Sequence, residues 1–330
     1  MRDFFIPPFK VKEVYDAEAL SQNIPWSISD LNIPDVWSET KGEGVTILVL
    51  DTGIEDHDDL ENNIIKKDSA SFIRTESIVR DYNGHGTASS GVVACEDNAS
   101  GIVGVAPSAK IIMGKVLSKN GQGSIDAIEN GLEYAWSLRD KIDIVNMSLG
   151  SKTPFTARGY KYIVDLYNYG IPVIAAAGNN PKDGVLYPAK YPEVFAVGAY
   201  GFNATRDIAN FSAIGEEVDF AAPGEEIVAT WLGNKYAVLQ GTSFACPYVA
   251  GIVALLISKY KKQGKKLSVA EIKQKLIDSC IDKGPVGKDN KFGYGIISPK
   301  HLILSQIEGG KIISKKPTFW QKIKRWFSKK

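Results

Sequence analysis

Val45-Thr46-Ile47-Leu48-Val49-Leu50-Asp51-Thr52-Gly53 is a run of β-branched and aliphatic residues that ends on a carboxylate, a hydroxyl and a glycine. A continuous apolar run of this length reads as a parallel strand buried on both faces. Similar runs occur at 111–116, 142–146, 173–177 and 194–199. Helical patterns separate them at 124–138 and 157–169, and a long apolar helix starts near Ser243. This alternation predicts an α/β fold, a doubly wound and mostly parallel sheet with helices on both faces in three layers. In such sheets, functional groups gather beyond the carboxyl ends of the strands. Asp51, Asn146 and Gly178-Asn179 fall there.

The chain has 330 residues with 44% apolar content, enough for one large core or two modest ones. Its net charge of +1 hides an uneven distribution. Residues 311–330 hold eight Lys or Arg and no acid, and without them 31 basic and 38 acidic residues remain. A body with net negative charge has no nucleic-acid footprint. Cys95, Cys246 and Cys280 are too few and too scattered for a disulfide framework. The first residues, Met1-Arg2-Asp3-Phe4-Phe5-Ile6-Pro7-Pro8, lack a secretory apolar run, and no stretch approaches the roughly 20 apolar residues of a membrane span. The expected location is cytoplasmic. Three regions follow: an N-terminal extension at 1–36, a main domain at 37–308 and a basic tail at 309–330.

Two further stretches share the glycine and threonine setting of Asp51. They are Asn83-Gly84-His85-Gly86-Thr87 and Gly241-Thr242-Ser243-Phe244-Ala245. A hydroxyl, an imidazole and a carboxylate make a nucleophile, its base and the group that orients the base. The order Asp, His, Ser is the one found in subtilisin. The chain resembles the subtilisin-like serine proteases from about Trp37 to about Ile297. No Gly-x-Ser-x-Gly elbow surrounds Ser243, which argues against an esterase or lipase.

The resemblance implies that Ser243 is the nucleophile, His85 its general base and acid, and Asp51 the group that orients His85. Ala175-Ala176-Ala177-Gly178-Asn179 resembles the strand end carrying the family's oxyanion-hole asparagine, here Asn179. Asn146-Met147-Ser148-Leu149-Gly150 resembles one substrate-binding edge and Gly121-Gln122-Gly123 the opposite one, with Ala176 and Gly178 beside them. An extended peptide would lie between them as an added strand. Large apolar or aromatic side chains are the expected preference. Cys246 and Tyr248 depart from the usual serine and histidine of the nucleophile motif.

The loop Glu96-Asp97-Asn98-Ala99-Ser100-Gly101-Ile102 aligns with a calcium-binding loop of the family. Asp59, Glu96, Asn98, Ser100 and Ile102 are the implied Ca2+ ligands, through side chains and loop carbonyls. His57 is expected at the surface and outside the chemistry, and Cys246 as a small packed residue.

Phe5-Ile6-Pro7-Pro8-Phe9 resembles the N-terminal motif of bacterial intracellular subtilisins, which implies a segment lying across the active site. Phe319, Trp320, Ile323, Trp326 and Phe327 fall on one helical face opposite lysines and Arg325. Such a face suits an anionic membrane surface or an acidic partner. Polypeptide substrates are the expected partners, and a homodimer is left open. The rivals to general proteolysis are a processing protease that removes a leader peptide, as from a lantibiotic precursor, and a catalytically silent peptide-binding module.

Overall fold

Thr46–Asp51 lies inside a seven-stranded sheet in the computed structural model, which describes residues 3–16, 22–308 and 311–314. In chain order the strands are β1 (Asp3–Phe5), β2 (Lys10–Asp16), β3 (Thr46–Asp51), β4 (Ala70–Ser71), β5 (Lys110–Lys115) and β6 (Gln122–Ser124). β7 (Ile144–Met147), β8 (Val173–Ala176), β9 (Val194–Tyr200), β10 (Phe220–Pro223), β11 (Ile227–Trp231) and β12 (Lys235–Gln240) follow. The sheet order is β10-β9-β8-β7-β3-β5-β4, and every pairing is parallel. From β3 the chain winds first towards β5 and then back through β7 to β10. The carboxyl end of β3 therefore opens at a topological switch point.

Residue alternation along β3 divides the core. Ile47 and Val49 join one apolar cluster with α2 (His85–Ala94) and α5 (Thr242–Lys261). Leu48 and Leu50 join a second cluster with α3 (Ile125–Ser137) and α4 (Ala157–Tyr169). This is the expected three-layer α/β arrangement, produced by the two-residue period of a strand buried on both sides.

Three expectations are corrected. Helix α5 is long and apolar enough, by length and composition, to cross a membrane, although no stretch was expected to be. With 89% of its apolar window buried, it is the core helix of the domain. Secondly, residues 22–36 are not a separate extension. Ile28, Leu31, Ile33 and Val36 belong to the main apolar cluster, so this stretch packs as part of the domain body. Finally, a hairpin of Ser305–Glu308 with Lys311–Ser314 straddles the boundary expected at 309. The aromatic face at 319–327 lies outside the described residues.

Residues 3–16 run over the carboxyl end of the sheet. β1 pairs antiparallel with β6, and β2 pairs antiparallel with β12, which β11 flanks on its other side. Between β1 and β2 lie Ile6, Pro7, Pro8 and Phe9.

Candidate active site

Asp51 ends β3 and His85 opens α2, and both are fully buried. The imidazole Nδ1 donates to Asp51 Oδ1 at 2.8 Å and reaches Oδ2 at 3.0 Å. The carboxylate also accepts from Thr52 N at 2.7 Å and Ser89 Oγ at 3.3 Å. These bonds fix the tautomer, leaving Nε2 as the free basic nitrogen. The glycines around the histidine are steric requirements: a Cβ on Gly86 would stand 2.2 Å from the Gly53 carbonyl oxygen. The two loops therefore touch backbone to backbone.

Asp81 ties those loops together. It is 1% exposed and accepts from Thr52 Oγ1, Asn83 N, Gly84 N, Thr87 N and Thr87 Oγ1, all between 2.8 and 3.0 Å. Thr52 Oγ1 in turn accepts from Gly86 N at 2.9 Å. The sequence reading missed Asp81, although an Asp shortly before Asn-Gly is a turn signal.

Ser243 is the second residue of α5, so its N–H is one of the first-turn donors without an intrahelical partner. Pro247 lies four residues on and cannot donate back to the Ser243 carbonyl. Asn179 stands just beyond β8. Its Oδ1 accepts from Thr242 N at 2.8 Å and Thr242 Oγ1 at 2.7 Å, which turns Nδ2 outward. Nδ2 donates to the carbonyls of Pro8 at 3.0 Å and Pro7 at 3.3 Å.

The N-terminal segment fills the cleft. Phe5 exchanges two backbone bonds with Gly150, at 3.0 and 2.9 Å, and Ile6 N donates to Gly121 O at 3.0 Å. Gln122 and Gly123 pair with Phe5 and Phe4 in the β1–β6 register. Phe4 is fully buried and stacks on Phe155 at 4.9 Å between centroids, in a cluster that includes Leu149. Gly178 lines a cavity of about 240 Å³ with Pro7, Pro8 and Leu186. Ser148 Oγ accepts from Asn146, and Ala176 is buried within β8 among the residues facing α2 and α5.

Phe9 stands edge-on to His85 at 5.1 Å and to Phe244 at 5.6 Å. Beneath this cover, His85 Nε2 and Ser243 Oγ are buried with no hydrogen-bond partner among the described residues.

The implied calcium ligands meet at one loop. Asp59 is 1% exposed, and its carboxylate faces neutral donors only: Asn98 Nδ2 (3.2 Å), Ile102 N (2.8 Å) and Tyr236 Oη (2.6 Å). Gln22, which the sequence reading missed, joins through its side-chain amide on the Glu96 carbonyl at 2.7 Å. A Cβ on Gly101 would lie 2.2 Å from Asp59 Oδ2, so glycine leaves a cradle beside the carboxylate. A buried carboxylate with no cation beside it, held by the 96–102 loop whose carbonyls and Asn98 amide can supply further oxygens, fits a hard divalent ion. Glu96 fits only through its carbonyl, because its carboxylate accepts from Asn62 N and Nδ2. No group of three His, Cys, Asp or Glu side chains suits a metal among the described residues.

His57 is not at the surface as expected, being 4% exposed. Its Nδ1 accepts from Asp59 N and its Nε2 donates to Lys235 O, while its ring packs edge-on against Tyr236. Burial pushes its pKa below the ordinary value, so it is a neutral bracket between two loops. Cys246 is fully buried, donates to Asn146 Oδ1 at 3.2 Å, and has its thiol pKa pushed well up by burial.

A buried carboxylate–imidazole pair beside a helix-opening serine and a fixed amide defines a serine hydrolase of the acyl-transfer class. Residues 42–295 match the model of the Subtilase family, and the chain belongs to that family. It is a subtilisin-like serine endopeptidase. The chain is 37% identical to a thermostable alkaline protease of Halalkalibacterium halodurans over 292 residues, covering 88% of this chain and 76% of the relative. It is 39% identical to subtilisin DY of Bacillus licheniformis over 285 residues, covering 84% of this chain and 98% of the relative. The minor extracellular protease Epr of Bacillus subtilis is 35% identical over 88% of this chain and 43% of its own length.

Proposed function

We propose that the chain is a general-turnover endopeptidase, made with its cleft covered by its own residues 3–16. Ser243 Oγ attacks the peptide carbonyl carbon while His85 Nε2 takes its proton. Asp51 holds the imidazolium through Nδ1–H, and the oxyanion accepts from Asn179 Nδ2 and the Ser243 N–H. Collapse of the tetrahedral intermediate breaks the C–N bond, and His85 protonates the leaving amine. Water then releases the acyl group by the same steps.

The observation that carries the covered state is the path of Phe4 to Phe9 between Gly121 and Gly150 and over His85. Pro7 and Pro8 resist cleavage there for two reasons. Proline has a fixed φ and no N–H to donate as a bound strand would. The Asn179 amide is also shared between two carbonyls rather than aimed at one.

A Ca2+ ion held by Asp59, Asn98, Gln22 and the carbonyls of Glu96, Ser100 and Ile102 belongs to the same reading. When bound it would clamp the 96–102 loop to residue 22. A cytoplasmic location is favoured by three cysteines that are all free thiols.

The test is digestion of denatured casein by the full-length chain, by Phe4→Asp and by Ser243→Ala. A charge in the Phe4 pocket unseats the segment, so Phe4→Asp is expected to cut casein at many sites, the unaltered chain slowly and Ser243→Ala not at all. Equal rates for Phe4→Asp and the unaltered chain would refute the cover. Activity in Ser243→Ala would refute the nucleophile.

A further inference from the structure

β12 ends at Gln240, three residues before Ser243, and its outer edge carries β2 in antiparallel register. Lys10 stands opposite Gln240, Tyr15 opposite Tyr236 and Asp16 opposite Lys235, with one irregularity between Val238 and Leu239. Six of the seven β2 residues are exposed, and Tyr15 alone is half-buried. Hydrophobic burial therefore does little to hold β2. What holds it is the main-chain ladder, helped by the Tyr15–Tyr236 stack at 6.1 Å and the ion pairs Lys12–Glu226 and Lys235–Asp16. Ion pairs this exposed contribute little.

A strand bound mainly through its backbone can be replaced by another of different sequence. Once β2 leaves, β12 becomes an edge strand with a free row of N–H and C=O groups. That row begins next to Gly241 and the catalytic serine and leads away from Asn179, on the side opposite β6 and Gly150.

We propose that the edge of β12, Lys235–Gln240, is an acceptor strand for the part of a polypeptide substrate downstream of the cut bond. This rests on the reading of Ser243 as the nucleophile and of residues 3–16 as lying on the substrate path. The substrate class it selects is unfolded polypeptide able to stay extended for about as many residues beyond the scissile bond as β2 contains. An aromatic side chain opposite Tyr236 adds to the fit. A folded protein offering only a short loop would miss this edge.

The test uses the protein folded as its full chain, with a site for an unrelated sequence-specific protease at residues 17–21 that is cut after folding. Its substrates share one upstream sequence and end in an anilide, or carry from two to eight downstream residues. The result expected is a rise in kcat/KM of about tenfold or more from the shortest to the longest peptide, mainly through KM, as a few added backbone hydrogen bonds would give. N-methylation of alternate downstream amides should abolish the rise. A flat profile with normal anilide hydrolysis overturns the acceptor strand alone, as does a rise that survives N-methylation. Absence of anilide hydrolysis overturns the protease reading, and the acceptor strand with it.

Discussion

Asn179 Nδ2 donates to the Pro8 carbonyl at 3.0 Å while its own Oδ1 is locked by Thr242. The amide is thus set before any substrate arrives, and cannot turn away without losing two bonds. Such a donor acts on the developing oxyanion more than on the resting carbonyl. In enzyme freed of its N-terminal segment, Asn179→Ala should lower kcat by roughly 10²–10³ with little change in KM, the magnitude measured for a subtilisin's own oxyanion asparagine. Steady-state kinetics on a peptide anilide checks it, and a change confined to KM would contradict it.

Asp81 supports both triad loops through five accepted hydrogen bonds. Asp81→Ala orphans all five donors, four of them buried. The expected loss is at least about 3 kcal/mol of stability, since each orphan costs about 1–3 kcal/mol when water cannot reach it. Urea unfolding measures this directly. A loss under about 1 kcal/mol would show that water or backbone relaxation replaces the carboxylate.

Chelation should act through Asp59. Excess chelator is expected to lower the thermal midpoint by several degrees, and added Ca2+ to restore it, because an ion bound only by the folded state stabilises that state. Asp59→Asn should remove the response while leaving a folded protein. An unchanged midpoint under chelation would mean that Tyr236, Asn98 and the Ile102 N–H suffice for Asp59 on their own.

Burial raises the Cys95 and Cys246 thiols well above the ordinary range and Cys280 to about 12. Each stays protonated through neutral and mildly alkaline pH, and the thiolate is the reactive form. Iodoacetamide at pH 8 should therefore leave the native enzyme active and Cys246 unmodified, as read by mass spectrometry. Rapid inactivation traced to Cys246 would contradict this placement.

The strands, the main helices and the gathering of Asp51, His85, Asn179 and Ser243 at one cleft were legible because each is written in a short local pattern. A buried parallel strand needs a continuous apolar run, and a loop that meets another backbone needs glycine, as Gly86 does against Gly53. What escaped depends on partners far away in sequence. His57 read as a surface residue because its Lys235 carbonyl lies 178 positions on. Gln22 read as part of an extension because its partner is the Glu96 carbonyl. The strand at 10–16 carries no apolar alternation, since its pairing is made by backbone atoms on an exposed edge.

The most direct test of the central claim, a Ser243 protease covered by its own N-terminal segment, is the rate of labelling by a fluorophosphonate probe. The rate is compared in the full-length chain before and after the 17–21 segment is cut, with Ser243→Ala as control. Slow labelling before the cut, fast labelling after it and none in Ser243→Ala is the predicted result. Equal rates before and after, or labelling of Ser243→Ala, would contradict it.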